Sequence, residues 1–92
     1  MPAPTPPSNV TATKDGHGGV NLAWTRTAPG SFNVYRDTSS TGDFALQVDF
    51  GIGDSPFTDI TTVSGLTYYY VVTTVLNSIE SNNSNVAGPV TP

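Results

Sequence analysis

The chain has no cysteine and very few positive charges. Without cysteine among its 92 residues, it can form no disulfide framework and no thiolate zinc site, and it has no cysteine nucleophile. Its only basic residues are Lys14, Arg26 and Arg36, and the net charge is −4. Binding to a nucleic-acid backbone or to an anionic membrane surface needs several cations, so we expect neither kind of partner.

Long apolar runs and histidine are also scarce. No apolar run approaches the roughly 18 residues of a membrane-spanning helix. His17 is the single histidine, and its Gly-rich segment 15–19 predicts an exposed turn residue instead of a metal ligand or a member of a Ser-His-Asp triad. Four acidic residues also fall in or near predicted turns, where Asp side chains cap the local backbone. They are Asp43, Asp49, Asp54 and Asp59.

These shortages exclude most catalytic chemistry. A paired-carboxylate site needs two acids across a substrate cleft, and a folded chain of this size has little room for one. The sequence therefore predicts no enzyme activity of its own, no catalytic residue, no cofactor and no resident metal. Calcium on a subset of the turn aspartates stays open, although their spacing matches no EF-type loop.

The residues that the chain has in quantity are those of strands and turns. Apolar residues make up 36% and charged residues 11%, and the remainder is rich in Thr, Ser, Asn, Gly and Pro, which favours strands over helices. The Pro-rich segment 1–7 predicts an extended linker ahead of one folded domain at 8–92. Segment 88–92 is also rich in Gly and Pro, as linkers are, so we interpret the domain as one unit of a longer chain of domains.

Alternating apolar residues predict seven short strands. The strands are expected at residues 8–14, 20–24, 32–35, 44–50, 57–60, 66–76 and 86–90, with 77–85 as a polar loop. Period-2 alternation puts a set of side chains on inward faces. They include Leu22, Trp24, Phe44, Leu46, Val48, Tyr68, Tyr70 and Val72. Because 66–76 is apolar on both faces, it is predicted to be a central strand, and the whole pattern indicates an antiparallel β-sandwich.

Several of these segments resemble the fibronectin type III family. The strand ending in Leu22 and Trp24 is similar to that family's second strand, and segment 32–36 resembles its third. Segment 58–75 resembles the E–F corner and sixth strand, which assigns Tyr68 to the tyrosine corner, with its hydroxyl bonded to backbone just upstream. The resemblance implies an immunoglobulin-like, seven-stranded antiparallel sandwich.

One local difference and the composition refine this resemblance. The turn before Tyr68 is about one residue shorter than the family pattern, with Val63 or Ile60 in place of its leucine. The abundance of Asn, Thr and Ser and the tyrosines at 68–70 are most similar to modules of bacterial secreted polysaccharide-degrading enzymes. This likeness implies an extracellular, monomeric, non-catalytic spacer or accessory module whose partners are the neighbouring domains of its own chain.

Two outward tyrosines leave a binding role open. Alternation points Tyr35 and Tyr69 away from the core on neighbouring strands, where two exposed rings could stack on a polysaccharide. The alternative is a cross-strand aromatic pair that only stabilises the sheet, by about 0.2–1 kcal/mol. A binding module for polysaccharide or for another protein, through this face or the loop 76–85, therefore stands beside the spacer interpretation.

Overall fold

The computed structural model describes residues 2–92, which fold into two antiparallel β-sheets; Met1 of the predicted linker lies outside the described residues. The strands in chain order are β1 (Ser8–Lys14), β2 (Val20–Thr25), β3 (Ser31–Asp37), β4 (Leu46–Ile52), β5 (Phe57–Asp59), β6 (Tyr68–Leu76), β7 (Ile79–Glu80) and β8 (Ala87–Val90). The smaller sheet has the order β1-β2-β5, and the larger has the order β4-β3-β6-β7 with β8 also paired to β6. The predicted sandwich is confirmed. The described residues contain no helix long and apolar enough to cross a membrane.

The eighth strand comes from a hairpin in a segment predicted to be loop. Asn77 and Ser78 both have positive φ angles, 52° and 64°, as the two central residues of a type I′ turn must. The turn reverses the chain, so that β7 pairs with the end of β6. The prediction of an unbroken loop over 77–85 is wrong, because Asn tolerates the left-handed backbone that this turn needs.

Strand β4 begins two residues later than predicted and departs from simple alternation. Phe44 is buried ahead of the strand, with a φ of 50°, and Val48 packs against the core. Leu46, however, is 54% exposed. Its predicted inward placement is wrong, because the pairing of β4 with β3 shifts register twice. The other predicted strand ends agree with the structure to within two residues.

The core lies between the two sheets. Trp24 and Phe32 pack ring against ring, with centroids 5.2 Å apart and an interplanar angle of 59°. The central position predicted for the long apolar strand is confirmed, since β6 pairs with β3 along one edge and with β7 and β8 along the other. The other buried residues of the core cluster are Val10, Val20, Leu22, Val34, Tyr68, Tyr70, Val72, Ala87 and Val90.

One hydroxyl in this core lacks a partner, and removing it should stabilise the domain. Thr74 is completely buried, and within residues 2–92 its Oγ1 makes no hydrogen bond. Because a buried unsatisfied polar group costs about 1–3 kcal/mol, we expect Thr74→Val to raise the free energy of unfolding by about 1 kcal/mol. The urea midpoint at unchanged slope measures this.

The neighbouring threonine provides the matched control. Thr73 is also buried, but its Oγ1 donates to Glu80 Oε2 at 2.6 Å. Thr73→Val should therefore lower the urea midpoint, because it removes a bond to a charged acceptor. A Thr74→Val variant that loses stability as Thr73→Val does would contradict the assignment of Thr74 as unsatisfied.

The predicted tyrosine corner is confirmed. The hydroxyl oxygen of Tyr68 accepts a hydrogen bond from the backbone N–H of Val63 at 2.9 Å, which fixes the turn that leads into β6. The expected stand-ins for the family's leucine are wrong, since Ile60 is 82% and Val63 57% exposed. The shorter turn is held by backbone bonds instead, from Leu66 N–H to the Val63 carbonyl at 3.2 Å and from Gly65 N–H to a Pro92 oxygen at 2.7 Å.

Removing the Tyr68 hydroxyl should weaken this corner measurably. Tyr68→Phe keeps the ring on which the Arg36 guanidinium rests, 4.7 Å from the centroid, but leaves the Val63 N–H without its acceptor. We expect a loss of about 1 kcal/mol in the free energy of unfolding, measured by urea titration. Tyr69→Phe is the control, and we expect it to stay within about 0.5 kcal/mol of the parent. Equal effects of the two changes would refute the corner's contribution.

Candidate functional site

Asp59 caps the local backbone at Thr61, as the sequence predicted, but it is also the centre of a buried polar cluster that the sequence did not predict. It ends β5, is completely buried, and reaches from the smaller sheet to the larger one. Its Oδ2 accepts hydrogen bonds from Arg36 at 2.9 Å and from the Tyr70 hydroxyl at 2.7 Å. Its Oδ1 accepts bonds from the N–H and Oγ1 of Thr61 at 2.9 and 2.6 Å. Because Arg36 and Tyr70 belong to the larger sheet and Asp59 to the smaller one, the carboxylate joins the two sheets.

The cluster holds Asp59 ionised. Burial opposes the charge, but the hydrogen bonds from Thr61, Tyr70 and Arg36 outweigh it, and the pKa of Asp59 lies below its ordinary value of 3.8. Burial, followed by the neighbouring carboxylate, raises the pKa of the Tyr70 hydroxyl far above its ordinary value. Tyr70 therefore stays protonated and keeps donating to Asp59 throughout the physiological range.

Acid should consequently weaken the domain through Asp59. A carboxyl group whose pKa is lower in the folded chain contributes stability above its unfolded pKa, near 3.8, and loses that contribution as the pH falls through the folded value. We expect the urea midpoint to change little from about pH 7 to about pH 5 and to fall below about pH 4. Urea titrations across this range measure it, and Glu80→Gln is the control, since an acid response that vanished in this variant would come from Glu80.

Asp15 and Asp54 cap local backbone. Asp15 accepts bonds from the N–H groups of His17 and Gly19 at 2.7 and 2.9 Å, and these bonds lower its pKa. His17 is exposed in this turn, as predicted. Asp54 accepts a bond from the Ser55 N–H at 2.8 Å, which agrees with its predicted turn role. Among residues 2–92, no three His or acidic side chains come together in a way that could hold a metal ion.

The two tyrosines chosen from the sequence lie on the outer face of the larger sheet. Tyr35 is paired with Val71, and Tyr69 with Asp37, so the two rings are diagonal neighbours on that face. Both are half-buried. The Tyr35 hydroxyl donates to Glu80. A binding role for the pair stays a prediction.

Glu80 is hydrogen-bonded to three polar side chains of this face. Its Oε2 accepts hydrogen bonds from the Tyr35 hydroxyl, from Thr73 Oγ1 at 2.6 Å and from Asn33 Nδ2 at 3.3 Å. Burial opposes ionisation, but these three bonds outweigh it and lower the pKa of Glu80. Gln47 Nε2 also approaches the Tyr35 oxygen, at 3.3 Å. Glu80 therefore places a fixed negative charge on this face at neutral pH, surrounded by oriented neutral donors.

An open groove of about 400 Å³ lies beside this network. We call it the outer groove, and its lining residues are Ser31, Asn33, Gln47, Phe50, Gly51 and Val75. Phe50 is 71% exposed there, more than either predicted tyrosine. The groove thus combines an exposed aromatic ring with two amide side chains, and those groups can pack against an apolar face and exchange hydrogen bonds.

A β-bulge explains why Phe50 points outward. Val34 pairs with Asp49 but Phe32 pairs with Ile52. Between these two pairs β4 therefore advances by three residues while β3 advances by two. Gly51 supplies the positive φ of 66° that the extra residue needs, and its N–H donates to Asn33 Oδ1 at 3.2 Å. Simple alternation missed Phe50, although a Gly beside an aromatic residue inside a predicted strand is a signal for a bulge.

Comparison with known proteins gives matches among solved structures. No protein-family model and no curated protein matches the chain. An Fn3-like protein from Clostridium thermocellum is 35% identical over 94% of this chain and 91% of that one, with a TM-score of 0.82. The two molecules therefore share one fold over nearly their whole lengths.

Two further matches are parts of larger chains. Pectate lyase Pel3 from Pectobacterium carotovorum is 26% identical over 87% of this chain but 26% of the lyase chain, with a TM-score of 0.71. A β-1,2-glucanase from Parabacteroides distasonis is 22% identical over 100% of this chain and 14% of the glucanase chain, with a TM-score of 0.66, which shows a shared fold alone. The first match, close over both chains, decides the family.

Proposed function

This chain belongs to the fibronectin type III family, and from that premise we propose that it is a non-catalytic spacer or accessory module of a secreted polysaccharide-degrading enzyme. The partial match to a pectate lyase chain supports an enzyme of this kind as the longer protein, because the matched region makes up about a quarter of the lyase chain. An extracellular location, a monomeric state and neighbouring domains of the same chain as partners belong to the same proposal.

The observation that carries the spacer role is the position of the two ends. Thr27 Oγ1 donates to the Pro6 carbonyl at 2.8 Å, at the pole where β2 ends. At the other end of the chain, the Pro92 oxygen accepts a hydrogen bond from the Gly65 N–H. Gly65 follows β5, and the end of β5 pairs with the start of β2. This end therefore lies at the opposite pole of the sandwich. The chain thus enters at one pole and leaves at the other of a body 42 × 23 × 19 Å in extent. Inserted between two domains, it would separate them.

The non-catalytic part of the proposal is supported by how the candidate groups are used. Asp59 has both oxygens occupied inside the core, and Asp15 is engaged by the backbone of its own turn. His17 is exposed in that turn. No arrangement of a nucleophile with an oriented base is built from these residues.

The spacer role can be tested by joining a compact reporter domain to each end. Because the chain contains no cysteine, one cysteine in each reporter carries a spin label without background. We expect a narrow distribution of label separations that stays unchanged until urea unfolds the domain. A Gly/Ser linker of equal length is the control and should give a broad distribution around an end-to-end distance of about 50–60 Å.

Two results would overturn the spacer role. One is a distribution as broad as that of the Gly/Ser control, which would mean that the domain does not fix the distance between its neighbours. The other is a short separation with both reporters folded back along the sides of the domain, measured by small-angle scattering of the same fusion.

A further inference from the structure

We propose that the outer groove is a binding site for a neutral sugar chain. In this site Phe50 offers a stacking surface, while Asn33 and Gln47 exchange hydrogen bonds with sugar hydroxyls. The proposal goes beyond the spacer role and can fail without affecting it. It also shifts the ligand surface from the predicted pair of tyrosines to a neighbouring set of residues.

The first argument is that the groove continues into a polar surface that crosses the larger sheet. Phe50 belongs to β4 and Asn33 to β3, Val75 lies on β6, and Glu80 on β7 is paired directly with Val75. Neighbouring strands are about 4.8 Å apart, so these four strands extend the surface over roughly 14 Å. A surface of that length accommodates an extended chain better than a single small molecule.

The second argument is that the backbone that carries the aromatic ring is held in place. A large side chain that is 71% exposed is common when it stands alone. Phe50, however, is turned outward by a bulge whose Gly51 N–H is bound by Asn33, the same side chain that lines the groove. The backbone at Phe50 and the Asn33 amide are therefore fixed next to each other, and an aromatic side chain presented beside placed polar groups is typical of ligand sites.

The third argument is the match of hydrogen-bonding types. A sugar hydroxyl both donates and accepts, and an amide side chain offers both functions. Asn33 and Gln47 are each positioned by bonds to the Tyr35 hydroxyl, at 3.5 and 3.3 Å. All three bonds that reach Glu80 end on Oε2. In the described part of the chain, Glu80 Oε1 remains available to accept from a ligand hydroxyl.

The charge of this face selects against anionic ligands. Glu80 is ionised at neutral pH, because its hydrogen bonds lower its pKa, and no lysine or arginine lines the groove. The chain as a whole carries a net charge of −4. A uronate or phosphate group would be repelled there, so the expected ligand is a neutral polysaccharide such as a β-glucan, and not a pectate.

The test is affinity electrophoresis of the whole chain in native gels that contain soluble β-1,4- or β-1,2-glucan, with polygalacturonate in parallel gels. We expect at least one neutral glucan to retard the parent, and polygalacturonate not to. Phe50→Ala should weaken the retardation about tenfold, the size of one lost stacking contact. Leu46→Ala is the matched control, since Leu46 is also an exposed apolar residue of β4 but lies outside the groove.

Each other outcome overturns the sugar site. No retardation by any neutral glucan, equal retardation of the parent and Phe50→Ala, or a preference for polygalacturonate would do so. Sedimentation of the parent and of Phe50→Ala provides the remaining outcome, because a dimer that Phe50→Ala dissociates would assign the groove to a second copy of the chain. The reporter-separation experiment would keep its result in all of these cases.

Discussion

Asp59→Ala is expected to lower the free energy of unfolding by about 3–5 kcal/mol, the usual effect of breaking a buried ion pair. The carboxylate is completely buried and Arg36, its partner at 2.9 Å, has a side chain that is 13% exposed. Removing Asp59 leaves a guanidinium without its counterion and the Tyr70 hydroxyl without its acceptor. Because a domain of this kind has only about 5–15 kcal/mol in total, this loss brings it close to unfolding.

Urea titration and thermal melting measure this loss. Asp43→Ala is the control, because Asp43 is exposed and its replacement should stay within about 0.5 kcal/mol of the parent. Arg36→Ala should give a loss that does not add to that of Asp59→Ala, since both changes break the same pair. A loss from Asp59→Ala as small as the control's would show that the cluster does not hold the sheets together.

Phe32→Ala should cost about 3–5 kcal/mol through a cavity in the core. Phe32 is completely buried against Trp24, and the Arg26 guanidinium lies 4.9 Å from its ring centroid. Within residues 2–92 the Trp24 Nε1 has no hydrogen-bond partner, so packing alone orients the indole. Loss of the phenyl ring should therefore loosen Trp24 as well as remove buried apolar surface.

The fluorescence of Trp24 measures this change, because Trp24 is the only tryptophan of the chain. We expect Phe32→Ala to shift the fluorescence of the folded protein to longer wavelength and to lower the urea midpoint. Phe50→Ala is the control with the same chemical change in the same sheet, and because Phe50 is 71% exposed, it should leave both quantities almost unchanged. Similar losses in the two variants would place Phe32 outside the core.

The sandwich could be predicted because its main signals are local. In β2, buried and exposed residues alternate without exception, as the inward Leu22 and Trp24 imply. The tyrosine corner could be assigned through the resemblance to the fibronectin type III family, and the Tyr68 hydroxyl does meet a backbone group only five residues upstream. Both features depend on residues that are close in sequence, where alternation and turn chemistry act directly.

The features that sequence reasoning missed depend on distant pairs. Asp59 meets Tyr70 and Arg36 across 11 and 23 positions of the chain, and nothing beside it distinguishes a buried carboxylate from one that caps a turn. Its neighbour Ile60 looks like a core residue, but it is 82% exposed. The outward turn of Phe50 likewise needs the register between two strands, which alternation within one strand cannot supply.

The bulged strand β4 has a second consequence, for self-association. It is the outermost strand of the larger sheet, and an unpaired edge can recruit a strand from another molecule. Its register shifts and the left-handed Gly51 break the even row of backbone donors and acceptors that such a strand would need. The local irregularity that aims Phe50 into the groove therefore also guards the sheet against edge-to-edge aggregation, a hazard that grows wherever similar domains are crowded along one chain.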